Sequence, residues 1–303
     1  MKKLLLTTLT IALGISLAGC KKDKSEVKIL APSGTPLMAI GNLIGTEGVT
    51  IENVSGAENL ITGLSTKSHD IIVAPLTAGA KLSIAGKSSY KLEAVVTTNN
   101  TYIISKGNTT LTNISDLSGK NLIAYGQNNT PDIALKNALS KGNITDCNIT
   151  YEADVTTATS TFMSGSDYDY CLIAEPQITA LKKKGATLNV LDLKDYMSTT
   201  IYQAGIFVNP DSKATRVNDV IKDIKKNIEY LNEKPAEYAK EVLNKNPFFT
   251  KMGEEVLAES IPNANISFIK AKDNKDKINA YFQVVNDYND KILGGMVSDE
   301  FYR

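Results

Sequence analysis

From Val27 onward, short apolar runs alternate with segments whose apolar residues recur every three or four positions. VKILA, TIENV and DIIVA are runs of strand length and composition and predict three strands. Between and after them, LMAIGNLIG carries apolar Leu37, Ile40, Leu43 and Ile44, and ENLITGLST places Leu60, Ile61 and Leu64 on one face. Both have helical spacing, as does AGAKLSIAG. A β-rich stretch, KLEAVVTTNNTYIISK, follows, and then the order recurs. NLIAYG, CNITYEA and YDYCLIAEP read as strands, each followed by a helical segment: DIALKNALSKG, DVTTATSTFMSG and QITALKKKG. TLNVLDL and TTIYQAGIFVNP are further strands. After Asn209-Pro210 the chain reads mostly helical, through ATRVNDVIKDIKKNIEYLNEK, PAEYAKEVLNKN and DKINAYFQVVNDYNDKI. Repeated βα units with continuous apolar strands predict the α/β class, with parallel sheets covered by helices on both faces.

The repetition divides the chain into two Rossmann-like lobes. Lobe I spans 27–100 plus 205–303, the C-terminal helices returning to complete it, and lobe II spans 104–200. Two crossovers join them and leave a cleft.

The first twenty residues, MKKLLLTTLTIALGISLAGC, stand apart from this pattern. Lys2 and Lys3 precede an apolar segment, Leu4 to Leu17, that is shorter than the about 20 residues of a spanning helix. It ends in Leu17-Ala18-Gly19-Cys20, which resembles a bacterial lipobox. That reading makes 1–19 a signal peptide, Cys20 the acylated residue, and 20–26 a lipid-anchored tether holding the protein to the membrane without spanning it.

Composition narrows the chemistry. Among 303 residues, Lys plus Arg and Asp plus Glu are equal at 33 each, so no bulk positive field exists to hold nucleic acid. One histidine and three cysteines argue against a multi-ligand zinc site, and no cofactor is expected. Catalysis by a nucleophile and base lacks a base: His69, the one imidazole, precedes strand DIIVA at the end away from the cleft. Cys147 and Cys171 fall on strands flanking a third, roughly 10 Å apart, and are expected to be unpaired thiols.

In open α/β sheets ligands sit beyond the carboxyl ends of the strands, where helix N-termini offer unpaired N–H groups. The candidate binding residues therefore lie in the loops after each strand. In lobe I these are Ser33, Gly34, Thr35 and Pro36, then Ser55 and Gly56, then Pro75 and Thr77. Ser55 and Thr77 read equally as helix N-caps or as ligand donors. Thr97, Thr98 and Asn99 lie at the first crossover. In lobe II, Asn128, Asn129 and Thr130 precede Pro131, with Thr130 as the expected N-cap. Glu175 is either a ligand acceptor or a carboxylate satisfied by its own helix start. Tyr202 and Gln203 lie on the return crossover, Tyr202 as ligand contact or packing.

The ordered set KILAPSGTPLMA, DIIVAPLTAGAKL, ISDLSGKNLIAYGQNNTPD, YDYCLIAEPQITAL and IYQAGIFVNP, behind the lipobox, resembles the solute-binding proteins of bacterial ABC importers. Within them it is most similar to the nitrate/taurine/sulfonate/thiamine-precursor group of the type II periplasmic-binding fold. The ending GGMVSDEFYR is similar to the tail of one subgroup, with Val297-Ser298 where that tail has Pro. The resemblance implies a monomeric, non-enzymatic receptor on the extracytoplasmic side of the cell membrane. Its implied partners are a small organic solute and an ABC permease with its ATPase. The relatives that make the thiamine pyrimidine need several His and Cys residues that this chain lacks. A surface adhesin or a sensor input is the alternative function on the same fold, ahead of an enzyme. The strand-end segments 33–37, 55–59, 74–78, 97–100, 126–132, 174–177 and 202–204 contain Glu58, Asp132 and Glu175 and no Lys or Arg. On Glu175 above all rests the expectation of a neutral or amine-bearing solute, stacked by Tyr102, Tyr125 or Tyr202.

Overall fold

Strand and helix alternate in the computed structural model much as the apolar pattern predicts. It describes residues 26–165 and 167–303, so the leader 1–19, the proposed acylation site Cys20 and the tether up to Ser25 lie outside the described residues. The chain runs β1 (Val27–Pro32), α1 (Thr35–Met38), β2 (Val49–Val54), α2 (Glu58–Thr66), β3 (Ile71–Pro75), α3 (Leu76–Ile84), β4 (Lys91–Thr98), β5 (Tyr102–Lys106) and β6 (Asn121–Tyr125). It continues through α4 (Thr130–Lys141), β7 (Asn148–Glu152), α5 (Val155–Ser164), β8 (Tyr170–Ile173), α6 (Gln177–Lys183), β9 (Leu188–Asp192) and β10 (Tyr202–Val208). The C-terminal part is α7 (Val217–Glu233), α8 (Pro235–Val242), α9 (Pro247–Met252), α10 (Glu254–Ser260), β11 (Ile266–Lys270) and α11 (Lys275–Tyr288).

Two sheets result, ordered β11-β4-β10-β3-β1-β2 and β7-β6-β8-β5-β9. The expected parallel pairing holds for β1 with β2 and β3, and for β6 with β7 and β8. It fails for β10, β11, β5 and β9, which pair antiparallel. The reason is the path between lobes. β4 leaves the first sheet at the end that faces the second, and only 99–101 separate it from β5. β5 and β10 each enter a sheet from that facing end, so each runs against the βα strands beside it. The same path sets the carboxyl ends of the βα strands in one sheet opposite those in the other.

The faces of the first sheet are buried differently. Ile29, Val73, Ala94 and Ile206 pack under α1 and α7–α10, where Val220, Ile224, Ile228 and Leu231 form a stripe at helical spacings of four and three residues. On the other face Leu30, Ile72 and Phe207 join a cluster that runs on through Tyr281, Phe282 and Val285 of α11 into Leu122 and Leu135 of the second lobe. α11 is thus a beam shared by both lobes. A third cluster, with Ile104, Ile123, Phe162 and Ile173, fills the far face of the second sheet.

The helix expected across 37–45 is broken. α1 stops at Met38, and a 3₁₀ turn takes Gly41–Leu43. Asn227 Nδ2 donates to the carbonyls of Met38 at 3.1 Å and Ala39 at 2.7 Å, and the Tyr238 hydroxyl donates to Met38 at 2.6 Å. These side chains of α7 and α8 take the carbonyls that a continuing helix would use. A strand the pattern missed, β11, pairs with the otherwise open edge of β4. α4 is capped at Asn129, not Thr130.

Cys147 and Cys171 are both unpaired, on opposite sides of β6. Burial pushes the Cys171 thiol up to about 12 and the Cys147 thiol to about 11, the latter helped by Asp146 and Asp169. His69 sits before β3, its Nδ1 2.7 Å from Ser68 Oγ and its Nε2 3.3 Å from Glu52, away from the facing strand ends. Among the described residues no helix is long and apolar enough to cross a membrane.

Candidate functional site

Between the facing strand ends lies a cavity of about 370 Å³. α2 contributes Ile61, α3 contributes Thr77, Ala78 and Lys81, the β6–α4 loop Asn128 and Asn129, and the segment after α11 Asn289, Lys291 and Ile292. Both lobes and the shared helix therefore meet around it. Thr77 is only 3% exposed, and its Oγ1 has no hydrogen-bond partner among the described residues. A buried hydroxyl in that state costs free energy unless something else binds it. α3 also begins here, so the positive end of its dipole adjoins the cavity.

The β6–α4 loop is held in shape from behind. Asn128 adopts a left-handed conformation, φ 59°, which asparagine tolerates better than most residues. Its backbone N–H donates to Asp132 Oδ2 at 2.7 Å. Asp132 is fully buried, accepts from the Tyr151 hydroxyl, and pairs with Lys136 Nζ at 3.3 Å. The Lys136 ammonium lies over the rings of Tyr151 at 5.6 Å and Tyr288 at 5.7 Å. Burial on its own would lower the Lys136 pKa, but Tyr288, Asp132 and Tyr151 outweigh it and hold the group above the ordinary lysine value. This cluster ties α4 to the end of α11, the two elements from which Asn128 and Asn289 approach.

The crossovers form a second polar assembly. Asn100 Oδ1 accepts from the Glu175 N–H at 2.8 Å, and its Nδ2 donates to the Glu175 carbonyl at 3.1 Å. Gln203 treats Asn100 in the same way: its Oε1 accepts from the Asn100 N–H at 2.8 Å, and its Nε2 donates to the Asn100 carbonyl and to Thr101 Oγ1, both at 3.1 Å. Asn99, at φ 47°, accepts from the Ile201 N–H through Oδ1 at 2.9 Å. Three amide side chains thus lock the outgoing strand, the returning strand and the start of α6 together.

Glu175 faces elsewhere. It lines a second cavity of about 310 Å³, to which the second lobe contributes Lys182, Asp192 and Lys194, the crossover Tyr102, and the first lobe Asn263 and Asn265. Its carboxylate accepts from the Thr179 N–H at 3.1 Å and from Thr179 Oγ1 at 3.0 Å, closing on its own helix start. Burial raises its pKa above the usual carboxylate range, and the Thr179 hydrogen bonds pull it part of the way back. Tyr102 donates to the Asn263 carbonyl at 2.8 Å.

Of the residues the sequence singles out, Thr77, Asn128 and Asn129 come together at the cavity between the lobes. Thr130 accepts from the Tyr281 hydroxyl at 3.1 Å, and the Tyr202 ring stands edge-on to Tyr281 at 5.9 Å, so both are packed against α11. Thr97 and Thr98 are buried at the end of β4. Ser33 donates to Asn53 Oδ1 at 3.0 Å, while Gly34, φ 99°, turns the chain into Thr35 and Pro36 at the start of α1. Ser55 and Gly56 are exposed, and α2 starts from Ala57, so Ser55 is not its cap. Pro75 caps α3, which leaves the Thr77 side chain unspent. Sequence reasoning missed Ile61, Lys81, Asn289, Lys291 and Ile292. Lys81 had a signal, since it follows Thr77 by four residues and so shares its helix face. Asn289 and Lys291 had none, because they arrive through the docking of α11.

Comparisons with known proteins bear on the same architecture. An ABC transporter structure from Parabacteroides distasonis superposes with a TM-score of 0.77 at 19% identity, covering 92% of this chain and 99% of that one. The periplasmic aliphatic sulphonate binding protein SsuA from Escherichia coli gives 0.70 at 12% identity, covering 91% of each chain. The alkanesulfonate-binding protein SsuA from Xanthomonas axonopodis pv. citri, bound to MOPS, gives 0.64 at 16% identity, covering 90% of this chain and 96% of that one. At these identities the likeness is one of fold, the two-lobed α/β architecture of type II periplasmic-binding proteins. No curated protein sequence matches the chain. The family model described as NMT1/THI5 like matches residues 47–238, from the threshold of β2 into α8, and with it the chain belongs to the NMT1/THI5-like family, in the solute-binding group that its ordered motifs resemble.

Proposed function

We propose that this protein is a non-enzymatic, extracytoplasmic receptor that captures a small organic solute between its lobes and delivers it to an ABC import permease and its ATPase. The observation that carries the reading is the interlobe cavity with the unpartnered, buried Thr77 hydroxyl, set between sheets joined by two crossovers. The fold neighbours described as ABC-transporter and sulfonate-binding proteins support the same class. The mechanism is closure. Solute that touches α3 on one side and the β6–α4 loop on the other binds the closed arrangement better than the open one, and so shifts the population toward it. The closed, monomeric form is then what a permease recognises.

The test is thermal stabilisation by candidate solutes, followed by calorimetry on any that register. A captured solute at 100 times its dissociation constant adds about 2.7 kcal/mol of stability. Thr77→Val, which keeps the shape and removes the hydroxyl, is expected to weaken that solute at least tenfold. Equal affinity in the variant would move the capture site away from this cavity.

Anchoring is a separate part of the proposal and rests on Leu17-Ala18-Gly19-Cys20. Cys20→Ala is expected to abolish incorporation of a palmitate analogue and to leave the precursor unprocessed. Labelling of the variant at the wild-type level would remove the lipid anchor.

A further inference from the structure

The geometry points to an organic anion as the captured solute, with its acid group held by Lys81 and Lys291. This rests on the capture reading above and reverses the solute charge expected from the strand-end loops. That expectation depends on Glu58, Asp132 and Glu175. None of the three lines the cavity that holds Thr77. Glu175 closes on Thr179 at the other cavity, Asp132 is buried against Lys136 and Tyr151, and Glu58 is exposed on α2.

What does line the cavity has one sign. Lys81 and Lys291 reach it from α3 and from the segment after α11, and the lining contains no Asp or Glu. Among the described residues neither lysine is in an ion pair, whereas Lys136, Lys183 and Lys194 each have a carboxylate partner. Thr77 adds a buried hydroxyl with no partner, and the first turn of α3 adds the positive end of a helix dipole. Asn128 adds an amide from the opposite lobe. Two ammonium groups, a hydroxyl and an amide around one volume suit an acid group's several acceptor oxygens. Ile61 and Ile292 give the same volume an apolar side, which suits an alkyl or ring body more than a bare inorganic ion.

The experiment compares probes of one chain length: pentanoate, pentane-1-sulfonate and pentyl phosphate against pentylamine and pentan-1-ol. Each is titrated calorimetrically into wild type and into the Lys81→Met, Lys291→Met double variant, which keeps most of the apolar stem and removes both charges. Both lysines are exposed, so the double variant is expected to melt as wild type does. At least one acid should bind wild type and lose tenfold or more in the double variant, equivalent to about 1.4 kcal/mol. The amine and the alcohol should bind at least tenfold more weakly than that acid. Three results overturn the inference: an amine or alcohol that binds as well as the acids, acid affinity unchanged in the double variant, or no acid binding. Native mass spectrometry after exposure to a small-molecule cell extract separates the two readings. A retained neutral or cationic solute leaves capture standing and removes the anion, while no retained mass, with no probe bound, removes both.

Discussion

Asp132→Ala is expected to lower the stability of the folded protein by about 3–5 kcal/mol, the usual loss when one partner of a buried charged pair is removed. Three groups lose their acceptor at once: the Asn128 N–H, the Tyr151 hydroxyl and the Lys136 ammonium. Lys136 has little water to turn to, since its side chain is 28% exposed and lies against two tyrosine rings. The left-handed turn at Asn128 also loses the contact that holds it, so solute affinity should fall along with stability. Asp132→Asn, which retains an acceptor of the same shape, should recover most of the loop geometry and part of the stability. Urea denaturation with an unchanged m-value measures the first effect, and calorimetry with a verified solute measures the second. A loss below about 1 kcal/mol in the alanine variant would mean that the loop holds its shape without the cluster.

Asn100→Ala is expected to cost about 2–6 kcal/mol, because it leaves the Glu175 N–H and carbonyl without their side-chain partner, at about 1–3 kcal/mol for each buried group. The site is 2% exposed, so water is a poor replacement. Asn100→Asp separates this account from simple loss of packing. Its carboxylate can still accept from the Glu175 N–H but has no hydrogen to give the carbonyl. Only the protonated form can donate, so folding raises the pKa of the introduced acid. Stability that depends on that proton is present at low pH and is lost as pH rises through the folded-state value. Asn100→Asp should therefore gain stability relative to wild type as the solution is acidified from pH 7 toward pH 5. A pH-independent difference would show that the pairing with Glu175 is not what Asn100 contributes.

Both predictions concern residues whose importance is invisible along the chain, and the pattern of what is visible has a physical basis. The inner strands β3, β6 and β8 were legible because each is buried on both faces and so reads as a continuous apolar run. The place of the site was legible too, as Thr77, Asn128 and Asn129 follow such runs, where the backbone of an α/β sheet necessarily opens toward the other lobe. Local rules stop where side chains from distant segments compete for the same backbone groups. α1 ends early because Asn227 and Tyr238, some 190 to 200 residues on, take the carbonyls of Met38 and Ala39. Gln203 and Asn99 look like donors facing a cleft, yet their amides are consumed by the crossovers they cement. Ile266–Lys270 becomes a strand because β4 has an open edge to fill. The charge of the cavity belongs to the same class. Sequence position assigns Glu175 to the cleft by its loop, and assigns Lys291 to nothing. Packing of α11 across both lobes brings Lys291 to the cavity, while the Thr179 hydrogen bonds turn the Glu175 carboxylate onto its own helix. A one-dimensional pattern records which faces must be buried; which polar groups remain unspent depends on partners that only folding brings within hydrogen-bonding reach.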